Sequence, residues 1–118
     1  MELTIGPATY RIVTVEREGQ FTAHAVRAET SERFGIETVA ADPESAQRRL
    51  SAWLEWQYEH TQALETLQQA ERTYHRALAG AAFAMPEEDA TEAARLSLES
   101  VNAARAHLDE VRARRPEA

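Results

Sequence analysis

Two hydrophobic rhythms divide this chain. Before Ala41, apolar and polar residues alternate, the period of a half-buried strand. After Asp42 the apolar positions recur in steps of four and three, the period of an amphipathic helix. Residues 9–40 are therefore expected to form a sheet. Tyr10, Ile12, Val13, Thr14 and Val15 favour a strand, and Glu18-Gly19 reads as a two-residue hairpin turn with Gly19 at positive φ. Phe21 to Ala28 is the return strand. That turn sets Arg17 opposite Gln20, Val15 opposite Thr22, Val13 opposite His24 and Ile12 opposite Ala25. Tyr10, Ile12, Thr14, Phe21, Ala23 and Ala25 share one face, which is read as the core side. Arg33 to Ala40 supplies a third strand. Leu3 and Ile5 have strand character, but Gly6-Pro7 interrupts them, because proline cannot donate to a ladder; residues 1–8 read as a lead-in.

The second rhythm predicts a long helix over 42–80. Asp42 is its cap, Pro43 fits the first helical position, and Gly80 is a plausible stop. The seam is Ala46, Leu50, Trp53, Gln57, His60, Leu64, Leu67, Glu71, Tyr74 and Leu78, a heptad pattern with three polar members. Leu50, Gln57, Leu64, Glu71 and Leu78 fall at a; Ala63, Ala70 and Ala77 fall beside them at g. Leu50, Trp53, Leu54 and Trp56 are the natural lid for the sheet. Roughly 37 helical residues span about 55 Å, against a diameter of about 35 Å for a compact chain of this size. The far half must therefore find another surface. Gln57 and His60 mark the change. A second helix over 86–115 carries the stripe Ala90, Ala94, Ser97, Val101, Ala104, Leu108 and Val111, widened by Leu98. It suits an antiparallel partner lined by alanines. Phe83 and Met85 lie in the apolar connection, either closing the hairpin or forming an exposed tip. The tail from Arg115 reads as frayed.

Composition narrows the function more than it names it. The chain has 118 residues, 43% hydrophobic, and the reading is one α+β domain, 1–118. Net charge is −7, which argues against nucleic acid and anionic lipid as partners and suits a basic protein. There is no cysteine, hence no disulfide and no thiolate chemistry. No apolar window approaches ~20 residues, so no membrane span is expected. No signal peptide is evident, and the expected location is cytoplasmic.

Candidate chemistry is thin. The four histidines are scattered, and Glu71 with His75 gives two ligands on one helix face where a zinc site needs three or four. No nucleophile elbow and no phosphate-cradling glycine loop is present. The expectation is a protein with no enzymatic activity, no cofactor and no metal. It is expected to associate with itself, as a dimer, through a contact stripe of Leu50, Trp53, Trp56, Leu64, Leu67, Tyr74, Leu78 and Phe83.

The strand–turn–strand from Tyr10 to Ala25, then Phe34-Gly35-Ile36 leading to Ala41-Asp42-Pro43-Glu44-Ser45-Ala46, resembles the small HicB-like antitoxin domain. The resemblance covers residues 9 to about 56. It implies a three-stranded sheet with a helix on one face, and binding of a small basic RNase toxin. The long helix and the C-terminal hairpin depart from that family's pattern.

Overall fold

Gly6-Pro7 does not end a strand; it turns one. Gly6 has φ +57, and proline is locked near −65°, the combination that a type II′ hairpin turn uses. Ile5 pairs with Ala8 directly across it. The missing proline N–H falls in the turn, where no ladder needs it. The expected three-stranded sheet is thus corrected to four strands by the segment read as a lead-in.

The computed structural model describes the backbone of residues 1–83 and 87–117, and the side chains of residues 1–80 and 91–117. The fold is α+β. Strands β1 (Glu2–Ile5), β2 (Ala8–Arg17), β3 (Gln20–Arg27) and β4 (Arg33–Ala40) form an antiparallel sheet in the order β1-β2-β3-β4. Helices α1 (Pro43–Phe83) and α2 (Glu87–Ala113) follow. Contacts gather into two compact units: Met1–Tyr58 with the residues from Arg115, and Glu59–Arg114. The division falls between Gln57 and His60.

In the first unit the Glu18-Gly19 turn has positive φ at both residues, 53° and 81°, as a type I′ turn demands. It sets the expected register: Arg17↔Gln20, Val15↔Thr22, Val13↔His24 and Ile12↔Ala25. The face read as the core side is the buried one. Ile5, Tyr10, Ile12, Ala23, Ala25 and Ala40 pack with Ala46, Leu50, Trp53 and Leu54 of α1. Burying one side chain such as Leu50 removes its apolar surface from water, a gain of about 1.5–3 kcal/mol. Tyr10 stacks on Phe34 with ring centroids 5.1 Å apart, and Arg27 lies over the same Phe34 ring.

Strand β4 joins irregularly. Ala23 pairs with Thr38 but Ala25 with Phe34, so the residues between Phe34 and Thr38 bulge opposite His24. Gly35, at φ +81, sits in the bulge, and a Cβ there would stand 2.7 Å from the Trp53 ring. Buried Thr38 donates to the Ala46 carbonyl at 2.7 Å, tying β4 to the first turn of α1. At the helix start, Asp42 accepts from the Ser45 amide and the Ser45 hydroxyl, both at 2.8 Å. These bonds stabilise the ionised carboxyl and hold its pKa below the usual carboxylate range.

Helix α1 passes through Gly80, the expected stop, and ends at Phe83. Gly80 is absent from the glycines with positive φ. Ala79, Ala81 and Ala82 around it are the strongest helix formers, so the helix continues. Helix α2 starts at Glu87, and Pro86, its expected first residue, lies outside the described residues. The tail is not frayed at its root: the Arg115 guanidinium lies 5.6 Å over the Trp56 ring, and Pro116 is half-buried.

Two predictions follow from these local geometries. Gly35→Ala meets both a positive φ and the Trp53 ring and is expected to cost about 1–3 kcal/mol. Gly19→Ala meets the strain alone, since nothing lies within 4 Å of its Cβ position. Urea denaturation should show the larger loss for Gly35→Ala; equal losses would deny the close approach of Trp53. For Asp42 the folded pKa is depressed, so its stabilising effect is present above the unfolded pKa and fades as pH falls through the folded one. Asp42→Ala should lower the thermal midpoint at neutral pH, and the gap to wild type should close in acid.

Candidate interaction surface

The second unit is a helical hairpin. Three residues separate Phe83 from Glu87, so α2 must start beside the end of α1. At the other end, Arg112 Nε donates to His60 Nε2 at 3.3 Å, and the Arg114 guanidinium lies 3.9 Å from the Glu59 carboxylate. The two helices are therefore antiparallel over this length. Helix α2 buries the expected stripe: Val101, Ala104, Leu108 and Val111 are inside, and Ala94 and Ser97 are half-buried.

On α1 the buried stripe is rotated from the expected seam. Ala63 and Leu67 are buried, and Ala70, Tyr74 and Ala77 are half-buried. Those positions are d and g. Small side chains let two helix backbones approach closely, so the alanine row turns inward. The a row turns toward the flank instead: Leu64 and Glu71 are half-buried, and Leu78 is 44% exposed. On α2, Leu98 was expected to widen the buried stripe, but it remains 41% exposed.

The residues of the expected contact stripe thus have different fates. Leu50 and Trp53 lie in the core under the sheet, where their surfaces are covered by the chain's own strands. Leu67 is buried in the hairpin, and Trp56 and Tyr74 are half-buried. Helical rotation sets Leu64 and Leu78 on the same side of the hairpin as Leu98. The Phe83 side chain and Met85 lie outside the described residues. Sequence reading placed Leu98 with the buried stripe because it assigned a single seam to each helix. The row of alanines at g, read from the sequence as the lining for an antiparallel second helix, is the row that turns inward.

The other polar seam residues, Gln57 and His60, are half-buried like Glu71. His75 makes no hydrogen bond to Glu71; its ring lies 6.1 Å from that of Tyr74. Among the described residues no three metal-ligating side chains cluster, and no helix is long and apolar enough to cross a membrane. An open depression of about 280 Å³ lies among Pro7, Thr9, Arg27, Glu29 and Thr30 at one end of the sheet. The sheet face away from the core carries Val15 and Val39, 37% and 40% exposed, beside buried Thr22 and Val26.

The chain matches no protein-family model, no curated protein and no solved structure.

The contrast between buried and exposed leucines is measurable. Leu67→Ala removes a side chain that is 8% exposed and should cost about 2–5 kcal/mol. Leu96→Ala removes one that is 50% exposed and should stay within about 0.5 kcal/mol of wild type. Chemical denaturation of both variants checks the assignment of the buried stripe.

Proposed function

We propose that this chain is a non-enzymatic protein-interaction module that associates with itself, as a dimer, through its long amphipathic helices. The observation that carries this reading is the leucine row left on one flank of the hairpin. Leu78 and Leu98 remain 44% and 41% exposed beside half-buried Leu64. The hairpin buries a single stripe of Ala63, Leu67, Val101, Ala104, Leu108 and Val111, and a second hairpin laid on that flank would remove Leu64, Leu78 and Leu98 from water. A closed two-fold dimer is the commonest way for one surface to cover itself.

A second reading is an antitoxin-type binder of a small basic protein. The strand–strand–strand–helix order from Thr9 to Trp56 favours it, as does the net charge of −7. Co-purification with a small basic protein from the native host would support this reading, and loss of that protein at high salt would fit its electrostatic basis.

Sedimentation equilibrium tests the first reading. The expected mass is twice the 13.2 kDa of one chain. A strict 13.2 kDa species at high micromolar concentration would remove it.

A further inference from the structure

The exposed flank of the hairpin carries opposite charge on its two helices. Leu64, Glu71 and Leu78 each follow one of the inward alanines, Ala63, Ala70 and Ala77, by a single residue. Leu98, Arg105 and Arg112 follow Ser97, Ala104 and Val111 in the same way. One residue is a rotation of about 100°, so each row stands beside its buried stripe. The helices run in opposite directions and face each other, and both rotations therefore lead to the same flank. On that flank α1 presents leucine, glutamate, leucine, and α2 presents leucine, arginine, arginine. Glu71 is half-buried and Arg105 is exposed. Among the described residues neither has an ion-pair partner.

We infer that a second copy of this chain docks on this flank with its α2 over α1 and its α1 over α2, so that Glu71 of each copy meets Arg105 of the other. This rests on the self-association proposed above and gives it a geometry. The two-fold axis then runs along the hairpin. Such an axis permits no axial shift, so each helix keeps against the second copy the register it has within its own hairpin. Counted from the His60–Arg112 contact, Arg105 lies 7 residues along the hairpin and Glu71 lies 11. Leu98 lies 14 along and Leu78 lies 18. Each pair is offset by four residues in the same direction, about 6 Å, within reach of an arginine side chain and of interleaved leucines. The rows then alternate along the contact: Leu64, Arg105 of the second copy, Glu71, Leu98 of the second copy, Leu78. The other two-fold arrangement lays α1 on α1 and α2 on α2. Its axis crosses the hairpin; placed at Glu71 it sets Glu71 against Glu71 and Arg105 beside Leu98, so it penalises the glutamates and sets no glutamate opposite an arginine.

The test is the dimer dissociation constant from sedimentation, measured for wild type, Glu71→Arg, Arg105→Glu and the double swap. Each single reversal creates two like-charge contacts per dimer and should raise the constant about tenfold or more. The double swap restores opposite charge and should return it to within about threefold of wild type. Far-UV circular dichroism checks folding; should Glu71→Arg unfold, Arg105→Glu on the exposed row carries the same comparison. A wild-type dimer that ignores both single reversals, or a swap as weak as the single variants, overturns this docking and leaves helical self-association standing. A wild-type monomer overturns both.

Discussion

A tryptophan ring lying against a glycine backbone sets how the sheet and α1 fit together. Trp53 occupies the space that a side chain at residue 35 would need. The bulge around Gly35 is what lets β4 give way to the ring and still pair with β3 on both sides. Ala23 and Ala25, fully buried on β3, keep the sheet low enough for Leu50 and Leu54 to follow. Two polar ties then fix the helix against the same strand. Thr38 donates to the Ala46 carbonyl, and the Arg49 guanidinium donates to the Val39 carbonyl at 2.8 Å. The Arg49 bond also occupies a backbone acceptor on an edge strand, which makes that edge a poorer template for another chain.

Beyond Tyr58 the packing follows a different rule. The hairpin combines small residues that allow close approach, Ala63 and Ala104, with Leu67, Val101, Leu108 and Val111, which fill its interior. Alanine rows bring two backbones together but cover little apolar area. The larger side chains at a are displaced to the flank, which leaves leucine and charge side by side at the surface. One heptad pattern thus yields a tight internal seam and an unfilled external one. Glu71 on α1 and Arg105 and Arg112 on α2 put opposite charge on the two helices of that flank.

Much of the fold was legible because local chemistry decided it. The Glu18-Gly19 turn fixed the β2–β3 register, and the aromatic positions identified the buried face. Asp42-Pro43 marked the start of α1. What sequence reading missed depended on context that a local rule cannot carry. Gly6-Pro7 breaks a ladder only if it lies inside one, and here it lies between two strands. Gly80 ends a helix only if it adopts positive φ, and its alanine neighbours hold it in the helix. Ala63, Ala70 and Ala77 were legible as the lining for α2, but the turning of Leu64 and Leu78 to the flank depends on how the two helices pack, which periodicity in either helix alone does not show. The interaction surface was read as a continuous stripe from Leu50 onward. In the structure Leu50 and Trp53 lie in the core and Leu67 inside the hairpin, Trp56, Leu64 and Tyr74 are half-buried, and Leu78 is exposed.

The most direct test uses the absence of cysteine from the chain, which allows one spin label per copy. Gln68, exposed one turn after Leu64, stands on the leucine flank, whereas Leu96 stands on the other side of the hairpin. Dipolar distance measurement between copies labelled at Gln68→Cys or at Leu96→Cys asks which flank faces the second copy. The account predicts inter-copy coupling with the shorter distance at Gln68. A shorter distance at Leu96, or no inter-copy coupling at either position, would contradict it.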